Sequence, residues 1–350
     1  MSTEDARLQL LRDWLTVDLR WPLARLEPAS ADASFRRYFR AWREDGATRV
    51  VMDAPPAKED IRPYLKVSRL LERCGVHVPH IDAVDEARGL ILLEDLGSTH
   101  LLARLNAGGD ADQLYGEALQ ALALIQRASA PLLAELPPYD RAALEREMQL
   151  LPDWFCTRHL QLRPDAARNA LLAKTMDFLV REMLVQPQVL VHRDYHSRNL
   201  MVLPQHGPGV IDFQDAMAGP IAYDLVSLLK DCYIAWPRER VERWVSGYLA
   251  KIGHTGLVDG VGEEQFLRWF DMAGLQRHMK VLGIFARLWY RDGKSGYLAD
   301  LPLTLEYVRD TARRYPELQD FSGWVEAVLV PGLVPANARE MQRIAAGVTL

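Results

Sequence analysis

The sequence has few cysteines, no long apolar run and no marked excess of one charge. Only three cysteines occur among its 350 residues, and they are far apart, which argues against a disulfide framework or a zinc site. No stretch reaches the roughly 20 apolar residues of a membrane span, and the charged start lacks the apolar core of a signal peptide. A formal net charge of −5 gives no electrostatic basis for binding nucleic acid. We therefore expect a cytoplasmic protein without a nucleic-acid or membrane partner.

The remaining composition is that of a globular protein large enough for two lobes. Apolar residues make up 49% of the chain and charged residues 25%. Before residue 97, aromatic and β-branched residues flank an acidic turn at 44–46, and Leu90–Leu93 is typical of a buried strand. After Gly97, most segments repeat apolar residues at helical spacing. We predict an α+β fold with a small β-rich N-lobe over residues 1–96 and a larger, mainly helical C-lobe over residues 97–350.

The most informative stretch lies among three short apolar runs of the C-lobe, which favour strands: 189–191, 200–203 and 210–211. A loop after the first run presents His192 and Asp194, Asn199 follows five residues after Asp194, and the last run leads into Asp212. Phosphoryl transfer needs such a set: an acceptor for the hydroxyl proton, and oxygen ligands that hold Mg²⁺ against a triphosphate. The H-x-D-x-x-x-x-N pattern followed by Ile-Asp-Phe is typical of a kinase catalytic loop.

In these motifs the chain resembles the aminoglycoside phosphotransferase and choline kinase family of small-molecule kinases. The resemblance runs over roughly residues 20 to 300 and includes Tyr223-Asp224-Leu225, in which Asp224 matches the family's structural aspartate. It implies a protein-kinase-like two-lobe fold that uses ATP and Mg²⁺. By position, Asp194 is implied as the catalytic base, and Asn199 and Asp212 as the magnesium ligands.

Two further segments resemble the nucleotide site of this family. Residues 30–38 match the loop that covers the phosphates, although glycine is absent, and the candidate phosphate contacts are Ser30, Ser34 and Arg36. Residues 93–96 match the hinge between the lobes, where the main chain of Glu94 and Leu96 is implied to contact adenine.

One group of the family is missing from the strand at 49–53. Met52 or Asp53 stands where the family usually has a lysine or arginine that pairs with the phosphates. The candidate replacements are Arg36, Arg37 and Lys66. Because this cation is absent, a nucleotide-binding regulator without turnover remains an alternative.

Within the family, the chain resembles more closely a subgroup of bacterial anomeric sugar kinases that act on N-acetylmuramate and N-acetylglucosamine. The shared segments include 51–56, 194–201, 276–280 and 289–291. The resemblance implies phosphorylation of the C1 hydroxyl to a sugar 1-phosphate in peptidoglycan recycling. The candidate substrate contacts are Arg193, Tyr195, His196, Gln276 and Arg287.

The alternative acceptors within the family are an aminoglycoside, a choline-like amine and a homoserine-like substrate. Residues 276–291 are basic and aromatic, which disfavours a cationic acceptor because like charges in a pocket repel. A protein kinase is also disfavoured, since the ten residues between Asp212 and Tyr223 are too few for an activation loop. We expect a monomer that binds a small amino-sugar.

Overall fold

The computed structural model of the chain describes residues 3–31, 35–204 and 207–347. They form two compact units. The N-terminal unit contains the chain up to Gly109 and Asn199–Asp215, and the helical unit contains Asp110–Arg198 and the chain from Ala216 onward. A β-rich part and a larger helical part are present, as the sequence predicts. The lobe boundary after residue 96 stays a prediction.

A five-stranded antiparallel sheet in the order β1-β2-β3-β5-β4 forms the centre of the N-terminal unit. Its strands are β1 (Leu23–Ala31), β2 (Arg37–Arg43), β3 (Thr48–Asp53), β4 (Ile81–Asp85) and β5 (Leu90–Glu94). The predicted hairpin is β2–β3, whose turn contains Gly46 at a φ of +87°. The sequence pattern did not indicate β1, since Pro28 interrupts it. The register with β2 shifts beside Pro28, and an edge strand tolerates this loss of an N–H donor.

Three helices accompany this sheet: α1 (Thr3–Asp13), α2 (Arg62–Arg73) and α3 (Leu101–Asn106). The end of α1 and the π-helical turn Trp14–Asp18 bury Leu11, Trp14 and Leu15 against sheet residues such as Val51. Each fully buried side chain of this kind contributes roughly 1.5–3 kcal/mol to folding. The apolar side of α2 is buried as well.

In its described residues, the helical unit contains nine further helices around a central one of 30 residues. They are α4 (Ala111–Gln126), α5 (Ala130–Leu133), α6 (Arg141–Met148), α7 (Ala166–Leu184), α8 (Ala222–Leu229), α9 (Arg238–Ile252), the central α10 (Glu263–Asp292), α11 (Leu301–Arg314), α12 (Gln319–Trp324) and α13 (Val330–Ala345). Short π-helical segments span Leu151–His159 and Val325–Leu329, and 3₁₀ turns span Gly253–Thr255, Ser295–Asp300 and Pro316–Leu318. In the part of the chain that the structure describes, no helix is long and apolar enough to cross a membrane.

Four short strands flank the loop predicted to be catalytic: β6 (Gln188–Val191), β7 (Leu200–Val202), β8 (Pro208–Val210) and β9 (Met217–Pro220). β6 pairs with β9 in the helical unit, whereas β7 pairs with β8. The sequence placed this β7–β8 hairpin in the C-lobe, but it packs with the N-terminal unit. The reason is main-chain bonding, since the Val202 and Val210 N–H groups donate to the carbonyls of Thr99 and His77, each at 2.8 Å.

Candidate active site

A strained turn after β6 presents Asp194 in the helical unit. Arg193 has a φ of +76°, a left-handed conformation that costs a non-glycine residue roughly 1–2 kcal/mol. The buried carboxylate of Asp224 accepts the main-chain N–H groups of His192 (2.6 Å) and Arg193 (3.0 Å). On the other side, the Arg277 guanidinium donates to the Arg193 carbonyl at 2.9 Å. The turn is therefore fixed from two sides.

The charges around Asp194 keep it ionised. Burial by itself raises the pKa of Asp194, but the nearby Lys280, Arg277, His196 and Arg193 outweigh it and lower the pKa to about 2. In contrast, burial raises the pKa of Asp224 to about 7, although its two main-chain N–H donors oppose this. Asp194 is thus a carboxylate at neutral pH, ready to accept a hydrogen bond from a hydroxyl.

Glu147 on α6 joins the cations of this site. Its carboxylate accepts hydrogen bonds from Arg193, from the Tyr139 hydroxyl and from Lys280 Nζ, the last at 3.0 Å. Lys280 Nζ also donates to the Tyr223 hydroxyl at 3.1 Å. Sequence reasoning missed Glu147, because nothing in α6 distinguishes it from a solvent-exposed helical glutamate. Arg193 is therefore held by an internal carboxylate rather than paired at the surface.

We expect Glu147→Gln to destabilise the protein, because it leaves Arg193 and Lys280 without the charge that compensates their burial. Removing one partner of a buried pair costs about 3–5 kcal/mol, and the retained amide reduces this to about 2–4 kcal/mol. Burial raises the pKa of Glu147, but Lys280 and Arg193 lower it below its ordinary value of 4.5. The stabilisation by the ionised carboxylate is therefore complete above pH 4.5 and decreases as the pH falls toward the lower pKa of the folded state, so the difference between the variant and the wild type should become smaller on acidification.

Thermal unfolding at pH 7 and near pH 4 measures this difference. The matched control is Glu145→Gln on the same helix, where the Arg141–Glu145 pair is solvent-exposed and contributes at most about 1 kcal/mol. Equal shifts in the two variants at pH 7 would contradict a buried role for Glu147.

Two of the five candidate substrate contacts, Tyr195 and Gln276, are fully buried in the structure. Tyr195 is fully buried, and its hydroxyl donates to the Ala118 carbonyl at 2.7 Å, so it anchors the loop to α4. Gln276 is also fully buried in α10 and offers no surface to a ligand. Aromatic and amide side chains beside a catalytic loop are ambiguous in sequence, because the loop needs internal anchors as well as ligand contacts.

Besides Arg193, two further candidates, His196 and Arg287, differ in their distance from Asp194. His196 is half-buried, its ring lies 5.6 Å from that of Tyr233, and its main-chain N–H donates to the Asp194 carbonyl. Arg287 is half-buried on α10, ten residues after Arg277 and thus about 15 Å further along the helix axis. His196 therefore lies beside the candidate base, and the substrate roles of His196 and Arg287 stay predictions.

The candidate magnesium ligands lie together in the N-terminal unit. Asn199 Nδ2 is 3.4 Å from Asp212 Oδ2, and the Gln214 side chain donates to Asp212 Oδ1 at 2.9 Å. Asp212 has a φ of +62°, and the following Phe213 packs on Tyr64 of α2 at 4.7 Å between ring centroids. A carboxylate and an amide are hard oxygen donors that fit Mg²⁺, which takes few protein ligands and fills its octahedron with phosphate and water oxygens.

The strand position that usually carries a cation is acidic here. Asp53, at the end of β3, is fully buried and accepts hydrogen bonds from Arg7 and Arg37. Arg37 is thereby committed to a structural ion pair. Arg36 instead lies beside the candidate metal site, with Nη2 3.4 Å from Asp212 Oδ1 and a side chain only 11% exposed.

The remaining nucleotide candidates are Ser30, Ser34, Glu94 and Leu96. The side chain of Ser30 and the whole of Ser34 lie outside the described residues. The Glu94 carboxylate contacts His77 Nε2 at 3.0 Å, and its main-chain N–H donates to the His80 carbonyl. Leu96 is buried against Gly209 of the β7–β8 hairpin. Main-chain contacts of Glu94 and Leu96 with adenine stay a prediction.

The sequence is similar to a known protein family and to curated proteins. Residues 25–270 match the model of the family described as "Phosphotransferase enzyme family". The chain is 46% identical over 328 residues to the N-acetylmuramate/N-acetylglucosamine kinase of Pseudomonas aeruginosa, which covers 91% of this chain and 96% of that protein.

Among solved structures, the chain is similar to an aminoglycoside phosphotransferase and a choline kinase. The ADP-bound aminoglycoside phosphotransferase APH(2'')-Ib has a TM-score of 0.58 at 15% identity and covers 88% of this chain and 98% of its own. Choline kinase LicA from Streptococcus pneumoniae has a TM-score of 0.61 at 12% identity and covers 87% and 99%. At such low identity these two similarities establish the protein-kinase-like fold alone.

Proposed function

Because the chain belongs to the phosphotransferase enzyme family, we propose that it transfers phosphate from ATP to the C1 hydroxyl of N-acetylmuramate and N-acetylglucosamine. The observation that carries the phosphotransfer is Asp194, an ionised carboxylate that a turn fixed by Asp224 and Arg277 presents. The name of the Pseudomonas relative supports the two acceptors. The products are sugar 1-phosphates, which suit peptidoglycan recycling. ATP supply and three free thiols suit the cytoplasm as the compartment.

In the helical unit, Asp194 orients the acceptor hydroxyl toward the γ-phosphoryl group and takes its proton as the new O–P bond forms and the bond from the γ-phosphorus to the ADP oxygen breaks. A carboxylate with a low pKa is a weak base, so the proton moves late, when the oxygen is already bonding to phosphorus. The anomeric hydroxyl suits such a base because it is more acidic than the other sugar hydroxyls. Arg277 and Lys280 stabilise the negative charge of the reacting groups.

In the N-terminal unit, Asn199 and Asp212 would hold Mg²⁺, which supplies neutralisation of the triphosphate charge when it is bound. Asp212 is kept in place by the side chains of Gln214 and Arg36. Arg36 is the residue that we assign to the role of the missing strand cation. Its guanidinium is close enough to the metal ligand to contact a phosphate oxygen in the same site.

We expect Arg36→Gln to raise the KM for ATP by roughly 10- to 100-fold, because a charge-assisted hydrogen bond contributes about 1.5–3 kcal/mol. Initial rates at varied ATP and saturating sugar measure this change. Arg69→Gln, an exposed arginine on α2, is the matched control. An unchanged KM for ATP in the Arg36 variant would mean that another cation binds the phosphates.

Release of ADP by the purified protein tests the proposed function. The acceptors are N-acetylmuramate, N-acetylglucosamine, their 1-O-methyl glycosides, kanamycin and choline, each with ATP and Mg²⁺. We expect release with the free sugars and none with the methyl glycosides, since these have no C1 hydroxyl. Release with kanamycin or choline alone would contradict the proposed sugar acceptors. If no acceptor caused ADP release although the protein still bound ATP, the result would favour the non-catalytic regulator.

A further inference from the structure

An aromatic cluster lies beside the catalytic loop in the helical unit. It consists of Tyr233, Phe285 and Tyr297, with ring centroids 6.2 Å apart for the first pair and 5.2 Å for the second. His196, two residues after Asp194, meets Tyr233 edge to face. Phe285 is buried, whereas Tyr233 and Tyr297 are partly exposed, and aromatic rings of this kind pack well against the C–H face of a sugar ring.

Arg198 lies on this cluster and forms no ion pair with a carboxylate of the described residues. Its guanidinium carbon is 3.5 Å above the centroid of the Tyr233 ring, a close cation–π contact, and the side chain is exposed. Between Arg198 and the described carboxylates there is no salt bridge within 4.0 Å. Burial raises the pKa of the Asp300 carboxyl, and the nearby charge of Arg198 opposes this rise.

The other cations near Asp194 are all engaged inside the protein. Arg193 and Lys280 bind Glu147, and Arg277 donates to the Arg193 carbonyl. Withdrawing any of them to bind a ligand would leave a buried group without its partner. Arg198 can bind an anion without such a cost, and stacking on Tyr233 orients its planar guanidinium in advance.

The two proposed acceptors differ by one charged group that suits this arginine. N-acetylmuramate carries a lactyl ether that ends in a carboxylate, and N-acetylglucosamine has a hydroxyl in that place. A guanidinium binds a carboxylate through two parallel hydrogen bonds. We propose that Arg198 binds the lactyl carboxylate and is the residue that favours N-acetylmuramate over N-acetylglucosamine, an inference that rests on the proposed function.

A cycle of two enzymes and two substrates tests this pairing. The wild type and Arg198→Gln are each assayed with N-acetylmuramate and with its lactyl methyl ester, which keeps the shape and removes the charge. In the wild type, esterification should lower kcat/KM by roughly 10- to 100-fold, the scale of a charge-assisted hydrogen bond. In Arg198→Gln the acid should lose about that factor and react no faster than the ester.

N-acetylglucosamine and two further variants complete the test. The ratio of kcat/KM for N-acetylmuramate to that for N-acetylglucosamine should fall by the same factor in Arg198→Gln. Arg198→Lys keeps the charge without the planar fork and should retain part of the preference. Arg146→Gln, an exposed arginine of the same unit, should keep the wild-type ratio.

Three outcomes have distinct meanings. A loss in Arg198→Gln that is equal for all three sugars would overturn the proposal, because it would mean that Arg198 acts by positioning its neighbour Asn199. An acid-to-ester ratio that is the same in variant and wild type would also overturn it. A wild type that is inactive on every sugar would instead contradict the proposed function, and this shows before any variant is compared.

Discussion

Asp194→Asn is expected to lower kcat by roughly 10²- to 10⁴-fold, the usual effect of losing a general base. Asparagine has nearly the same shape, so the turn held by Asp224 and Arg277 should keep its conformation. The amide is neutral and can neither take the proton nor balance the surrounding positive charge. ATP binding should stay within a few-fold of the wild type, because the nucleotide candidates belong to other segments of the chain.

Steady-state rates and nucleotide titration of the same preparation separate these two effects. Asp177→Asn, an exposed aspartate on α7 that pairs with Arg141, is the control and should retain wild-type rates. Retention of wild-type turnover by the Asp194 variant would remove Asp194 from the mechanism.

Asp212→Asn is expected to lower kcat by roughly 10²- to 10³-fold, as found when one group that stabilises transition-state charge is removed. The variant keeps a hydrogen-bonding oxygen for Gln214 but loses the negative charge that a divalent cation requires. The Mg²⁺ concentration for half-maximal rate should also rise, by about 10- to 100-fold. Arg36 would then face a neutral amide and lose its partner at 3.4 Å.

Rates at increasing Mg²⁺ distinguish a weakened metal site from a general defect. If Asp212 holds the metal, high Mg²⁺ should recover part of the lost activity. Asp45→Asn, an exposed aspartate in the β2–β3 turn, is the control with an unchanged Mg²⁺ requirement. A normal Mg²⁺ requirement in the Asp212 variant would assign the metal to other ligands.

The candidate catalytic loop could be identified in the sequence because its pattern is local. Asp194 and Asn199 lie five residues apart, and Asp212 ends the next short strand pair, so order and spacing alone carry the pattern. The fold class followed from the change between strand-like and helical periodicity near residue 97. Both patterns are formed by residues that are near one another in the sequence, so each can be recognised without the structure.

The groups that support the loop could not be predicted, because they come from distant elements. Glu147 reaches the site from α6, and Asp231 accepts the main-chain N–H of Ser197 at 2.9 Å after α8 has ended. Both are acidic residues, for which an exposed position is the default expectation. Burial of Tyr195 and Gln276 depends in the same way on what α4 and α10 pack against, which residue type alone does not show.

The choice of Arg36 as the candidate to replace the strand cation required the structure for a similar reason. Arg36 and Arg37 are adjacent and chemically identical, but their side chains pair with different carboxylates. Arg37 joins Arg7 at the buried Asp53, whereas Arg36 approaches Asp212. Strand pairing decides this, since the β2–β3 register sets Arg37 directly opposite Asp53.

The position of the new phosphate on the sugar is the decisive test of the proposed reaction. The product of the reaction with N-acetylglucosamine, ATP and Mg²⁺ is examined by ³¹P nuclear magnetic resonance with coupling to protons. Phosphorylation at C1 predicts a phosphorus doublet, coupled to the single anomeric proton, that is absent when the Asp194→Asn variant is used. A phosphorus triplet from the two protons at C6, or a phosphate on any other carbon, would contradict the account.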